Sequence, residues 1–427
     1  MLLLAIAAGM SLVSCNKQKG EKKYSAKESA NKIDATGEAF VNEFNLEKWQ
    51  ATADLVMPAI NFIDTSDVDI DPVIVEEVNT VNVVDKIWIQ TETVNMENCK
   101  GHYVIDANNK VTEEEGNFND FKVSFSAGGH DYVADITFTN SDNRILLLSY
   151  ESNTSYYHDD KTDKDVDCPG THKKSSTYLI LPANMTIEFM ADGTKPFTVE
   201  GNLSYVGAEN PREITDIKDV TINSDLAVKA ADYAFNLSKL SLKGGTFDET
   251  FTLKRNKKLL LELIVKATGL AILDNESVKS GDGNDDYPYG CDNAKIALDV
   301  LGQVQVKGNV KYNDLYNTVL ASGVDIDSTN VEEANIILKS LEPYYSLNVY
   351  YDKGSFVQAS VKAKAFEDST KVVSVKPVIY FQDGTSEVVP DFFTDKYLGK
   401  TIAACDSLSN RITRYIQSMK PAKKDDR

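Results

Sequence analysis

His158, Asp159, Asp160, Asp163, Asp165, Asp167, Cys168 and His172 crowd into one short stretch, the densest set of nitrogen, oxygen and sulfur donors in the sequence. A calcium loop needs alternating oxygen ligands, a glycine where the chain turns at the sixth position and a bidentate glutamate at the twelfth. Counted from Asp163, the glycine position holds Cys168 and the glutamate position holds Lys174. A second stretch, DGNDDYPYGCDN, opens with Asp282, Asn284 and Asp286 at the right spacing and also lacks the closing glutamate. Both read as solvated acidic loops, so no metal or other cofactor is expected.

The same loops carry Tyr156, Tyr157, Tyr287 and Tyr289 beside His158 and Asp160. Aromatic faces take the apolar faces of sugars while carboxylates accept from hydroxyls, which makes these six residues a candidate surface for a glycan or a protein partner. The plainer alternative is that the tyrosines cap strand ends. Each loop also holds one cysteine, Cys168 in VDCPGTH and Cys291 in YGCDN. A disulfide between them is geometrically easy in turn-rich loops, and separate free thiols are the alternative. Cys405 falls on the apolar side of a predicted helix and is expected as a buried free thiol.

No catalytic residue can be named. The four histidines, His102, His130, His158 and His172, form no HExxH pair and no zinc-ribbon spacing, and there is no G-x-S-x-G elbow, P-loop or G-x-G-x-x-G turn. A hydrolase working through two carboxylates stays open, because 65 acidic residues conceal any particular pair. The formal charge of −20 excludes nucleic acid as a main partner, since phosphate backbones call for clustered lysine and arginine.

The elements that must position these loops are mostly strands. From about residue 101 the apolar period becomes two, as in VQASVKAKA, where Val357, Ala359, Val361, Ala363 and Ala365 share one face. That face leaves volume to be filled, either by helices or by the acyl chain of a carried lipid. Asp192-Gly193 and Asp383-Gly384 sit between apolar runs and predict hairpins. In DYAFNLSKLSLKG the apolar phase shifts, which predicts a β-bulge near Ser238. DITFTNSDNRILLL (135–148) aligns with DETFTLKRNKKLLL (248–261) at 8 of 14 positions, predicting a meander that occurs twice, each copy followed by one of the acidic loops.

Helices frame the strands. Ser25 and Glu28 have capping-box spacing, with Ile33, Phe40, Val41 and Phe44 on one face behind them. A second helix runs from about Leu46 to Pro58, Thr329 with Glu332 caps a third, and an amphipathic helix follows Phe392. The expected fold is α+β: mainly antiparallel meander with an internal repeat, an N-terminal helical hairpin and a C-terminal amphipathic helix. The segments are a signal (1–14), a lipidated tether (15–24), an N-terminal helical segment (25–100), a repeated β-region (101–295), a mixed region (296–420) and a tail (421–427).

Leu2 to Val13 form an apolar run of signal-peptide length, too short to remain as a membrane-spanning helix. Leu12, Val13, Ser14 and Cys15 resemble the bacterial lipobox. The resemblance implies cleavage before Cys15, acylation of that cysteine and an anchor in the bilayer. Unlike the usual signal, this one has no basic residue ahead of the apolar run. The whole layout, with VLGQVQVKG and the helix after YFQDGTSEVVPDFF, resembles β-rich lipoproteins of Bacteroidota and implies no activity. Surface-exposed members of that class often carry an acidic tether, whereas NKQKGEKKY here is basic, which favours a periplasm-facing outer-membrane anchor over the cell surface. The expected function is non-enzymatic binding of a glycan or protein partner, with a lipid carrier and the hydrolase as alternatives.

Overall fold

Ser25 caps as its spacing predicts: its hydroxyl accepts from the Glu28 N–H at 3.3 Å, and the Glu28 carboxylate accepts from the Ser25 N–H at 3.0 Å. The helix Ala26–Asn42 follows. The computed structural model describes residues 23–65, 74–82, 87–95, 100–152, 156–159, 164–167, 172–206, 220–272, 289–322, 330–367 and 371–419. The lipobox, most of the tether and the tail lie outside them. Two compact units emerge, one of Met1–Ala51, Ala231–Lys239 and Gly245–Arg427, the other of Thr52–Ala230 and Leu240–Gly244.

In the first unit an antiparallel meander runs in chain order through Thr246–Arg255, Lys258–Thr268, Asn293–Val300, Val304–Val310, Tyr345–Tyr351, Ala359–Glu367, Val373–Phe381 and Ser386–Val388. Alternation gives it one apolar and one polar face. On the apolar face Leu347, Val349, Ala359, Val361, Ile379 and Phe381 pack with Ala30, Phe392 and Leu398 from the helices. Further along, Ala365 packs with Ala334 and Leu338 of the helix Val331–Leu341. Small alanines on the strand let helices seat closely, so the volume over 359–365 is filled by protein; Ala359 and Ala365 are 0% and 1% exposed. The helix cap falls one residue beyond Thr329, on Asn330, whose side chain accepts from the Glu333 N–H at 3.0 Å.

The chain turns tightly where Asp-Gly predicts. Asp192 and Gly193 both take positive φ between Pro182–Ala191 and Thr194–Val206, and Gly384 does so between Val373–Phe381 and Ser386–Val388. Lys239 adopts φ +60° in mid-strand, one residue from the expected bulge.

The two repeat copies fold differently. In the second, Asn256 and Lys257 take positive φ and Thr246–Arg255 folds back on Lys258–Thr268. In the first, Asn143 sits where Asn256 does, but its side-chain amide donates to the Tyr205 carbonyl and its own carbonyl accepts from the Tyr205 hydroxyl. The link stays open. His130–Asn140 pairs with Asp120–Ala127 and Pro182–Ala191, and Ile145–Ser152 joins a separate four-stranded sheet. The expectation of one meander occurring twice is therefore corrected at the first copy, where Tyr205, far along the chain, holds the turn residue Asn143.

The second unit departs from expectation twice more. The helix Leu46–Thr65 carries Pro58 inside it, although proline removes a donor and costs about 3 kcal/mol in a helix interior. Leu55, Ala59 and Phe62, on one face on either side of the proline, pack in one cluster with Phe125 and Tyr132, and that burial offsets the defect. The remainder of the segment expected as helical, 25–100, contains the strands Ile74–Asn82 and Ile87–Asn95, where Val, Ile and Thr recur at a spacing of two. Ile87–Asn95 pairs parallel with His172–Leu179, so the antiparallel pattern is dominant and not universal.

The last helix, Asp395–Met419, breaks at Leu398, where φ −122° and ψ 32° leave the helical region. Past the break the expected stripe is only partly covered: Ile402, Leu408 and Tyr415 are half-buried, while Cys405, expected to be buried, is exposed.

A charged cluster ties the first helix to the strands. Glu43 faces Arg255 at 3.3 Å and also pairs with Lys258. The hydrogen bond from Lys258 leads the causes holding its carboxyl below the ordinary value of 4.5; burial opposes, and the charges of Lys258 and Arg255 reinforce. Because the folded value is lowered, its stabilisation is full above the unfolded value and is lost as the pH falls through the folded one. Glu43→Gln is expected to lower the unfolding free energy at pH 7 by about 1 kcal/mol. Urea titrations at stepped pH should show that gap closing below pH 4.5; a gap that widens on acidification would contradict the assignment.

Candidate functional site

Tyr156, Tyr157 and His158 lie on the strand Tyr156–Asp159, which pairs antiparallel with Lys164–Asp167 in the second unit. The register sets Tyr156 opposite Asp167 and His158 opposite Asp165, with Tyr157 opposite Val166. Aromatic, imidazole and acidic positions therefore alternate across one ribbon, as a strand pair requires of residues two apart. Asp160 and Tyr287 lie outside the described residues. Tyr289 opens the short strand Tyr289–Gly290, paired with Ala271–Ile272 in the first unit.

Cys291 carries a free thiol, half-buried. Burial pushes its pKa up and the Asp292 carboxylate adds to the effect, so the thiol is held protonated and poorly nucleophilic. Cys168 lies outside the described residues.

Two histidines gain carboxylate partners that the sequence does not announce. His102 Nε2 stands 3.0 Å from Asp120 Oδ1 and its Nδ1 stands 3.4 Å from Glu114 Oε2, while Phe118 stacks on the ring at 3.7 Å. Burial raises the Asp120 carboxyl, but hydrogen bonds from His102 and Lys122 outweigh it and hold the carboxyl below its ordinary range. His102 therefore bridges two carboxylates, by a hydrogen bond to Asp120 and a longer contact to Glu114, and the arrangement ties the two segments together as a clamp. It arises because Gly101–Ile105 pairs parallel with Asp120–Ala127, a register no local pattern reveals. His130 Nδ1 similarly meets Asp192 Oδ2 at 2.6 Å on an exposed turn.

The polar face of the first unit bears a pocket of about 360 Å³ lined by Lys266, Thr268, Asn293, Lys295 and Asn309. Its floor is set by register: Lys266 lies opposite Lys295, Thr268 opposite Asn293 and Lys295 opposite Asn309. A second, more open groove of about 400 Å³ runs between the helices Ala26–Asn42 and Asp395–Met419, with Glu38, Lys400 and Arg411 around an apolar floor of Val41, Phe44 and Leu408.

No protein-family model matches the chain, and no curated protein matches it. Among solved structures, a porin-like protein from Bacteroides vulgatus ATCC 8482 is 9% identical, covers 68% of this chain and 96% of its own, and superposes with a TM-score of 0.14. So loose a superposition carries no argument about fold or activity. No helix among the described residues is long and apolar enough to cross a membrane.

Proposed function

We propose that the chain is an exported protein held at the outer membrane by acyl groups on Cys15, facing the periplasm, and that it binds a glycan or protein partner without catalysis through its acidic, aromatic loops. The observation that carries the binding half is the register of the ribbon Tyr156–Asp159, which sets Tyr156 and His158 opposite Asp167 and Asp165. Aromatic and acidic positions in register are the residue types that polyhydroxylated ligands and protein hot spots use. The anchoring half rests on the lipobox residues Leu12 to Cys15. The carrier reading is weaker where it was raised, because helices already occupy the alanine-lined face over 359–365.

Metabolic labelling with a fatty-acid probe is expected to mark the wild type and lose its signal in Cys15→Ala; persistent labelling would remove the anchor. Titration against an oligosaccharide panel should give binding that drops at least tenfold, about 1.4 kcal/mol, in a Tyr156→Ala, Tyr157→Ala double variant. Affinity untouched by that pair would move the site elsewhere.

A further inference from the structure

The polar face of the meander carries one unfavourable feature without an evident structural return. Lys266 and Lys295 are direct cross-strand partners, and Lys307 lies diagonal to Lys295, across from Ala297. Directly opposed side chains stand about 5 Å apart at Cβ, and like charges there destabilise the sheet. Lys266 is relieved by Asp248. Lys295 has no ion pair or side-chain hydrogen bond among the described residues, and neither do the side chains of Thr268, Asn293 and Asn309 beside it. That face also carries Asp248, Glu262 and Asp299, but among the residues lining the pocket the charges are Lys266 and Lys295 alone, beside uncommitted amides.

We propose that this pocket binds an acidic saccharide, a sugar bearing a carboxylate. The volume of about 360 Å³ falls at the small end of the roughly 300–1,000 Å³ typical of ligand sites. The side-chain chemistry selects the class. Ammonium groups donate only and answer a carboxylate, whereas Asn293, Asn309 and Thr268 both donate and accept, as ring hydroxyls require. A bare anion has no use for the acceptors, and a neutral sugar gains little from the lysines. The lysine stems and the Thr268 methyl supply apolar wall for a sugar face. The site is separate from the Tyr156 ribbon and stands or falls without it.

The test is calorimetric titration of the full-length chain with trigalacturonate, an alginate trisaccharide, neutral galactotriose and inorganic sulfate. At least one uronate is expected to bind, with galactotriose and sulfate each at least tenfold weaker, and Lys295→Ala and Asn309→Ala each lowering uronate affinity tenfold or more. A second readout separates binding from folding: Lys295→Ala should keep or raise the urea midpoint, because it removes the Lys266 repulsion. A lowered midpoint would make Lys295 a structural residue and overturn the proposal. So would sulfate or galactotriose binding as well as the uronates, uronate affinity unchanged in Lys295→Ala, or no uronate binding at millimolar concentration.

Discussion

Asp34→Ala is expected to lower the unfolding free energy by about 2–3 kcal/mol, more than most single polar truncations achieve. The reason lies in the break at Leu398, after which the last helix begins again. A helix start leaves its first amides without intrahelical partners. Here they are satisfied from another helix: Asp34 Oδ1 accepts from the Thr401 N–H at 2.8 Å and Oδ2 accepts from the Lys400 N–H at 3.3 Å. Thr401 answers by donating its hydroxyl to the Asp34 carbonyl at 2.8 Å. Asp34 is only 8% exposed, so truncation opens a gap beneath the helix start and removes the acceptor of two part-buried amide hydrogen bonds. Gly37 belongs to the same contact, because a Cβ there would stand 2.4 Å from Thr401 Oγ1. Gly37→Ala should therefore cost about 1–3 kcal/mol by displacing that hydroxyl. Since both substitutions act on Thr401, the double variant should lose less than the sum. Urea denaturation reads the free energies, and hydrogen exchange at Lys400 and Thr401 reads the cap directly. Unchanged protection in Asp34→Ala would show that the two helices hold together without it.

That arrangement also marks where sequence reasoning stops. The Ser25–Glu28 capping box and the Asp-Gly turns are legible because cause and effect lie within a few residues. The strand face is legible from Ala359 on, since alternation in ASVKAKA marks Ala359, Val361 and Ala365 as the covered side; Val357 and Gln358 precede the strand, and Gln358, expected to be wet, is buried. What fails is local pattern overridden from a distance. Asn143 and Asn256 occupy equivalent repeat positions, yet Tyr205 captures one and leaves the other to turn. Cys405 is placed by period alone, and period does not tell which residues of a stripe a neighbouring element covers: Ile402 and Leu408 are half-buried while Cys405 between them is exposed. The candidate site divides in the same way. The Tyr156 ribbon comes from residues close in sequence, so its acids and rings could be grouped by eye. The Lys266–Lys295 opposition and the His102–Asp120 clamp depend on registers between strands separated by a loop or paired in parallel, and composition carries no trace of them.

Tyr233→Ala should be the most damaging single change, at about 3–5 kcal/mol for the ring alone. Tyr233 is 2% exposed and stacks on Trp49 at 5.3 Å and on Phe44 at 6.0 Å. Its hydroxyl donates to the Glu43 carbonyl at 2.6 Å and accepts from the Asn45 N–H at 2.7 Å. One side chain thus satisfies both polar groups of the turn between the first two helices while filling the space beneath them. Arg255 braces the same turn, donating to the Glu43 carbonyl at 2.9 Å and to Asp232 Oδ2 at 2.9 Å. Tyr233→Phe separates the contributions. It keeps the stack but leaves the Asn45 N–H without its acceptor, and Arg255 still serves Glu43, so the cost should be about 1–2 kcal/mol. Fluorescence distinguishes the two variants, since Trp49 loses its apolar neighbour only in Tyr233→Ala and should shift to the red there. If Tyr233→Phe proves as destabilising as Tyr233→Ala, the hydrogen-bonded turn governs this junction and the aromatic stack is secondary. If it proves neutral, water replaces the hydroxyl and packing alone holds the helices to the sheet.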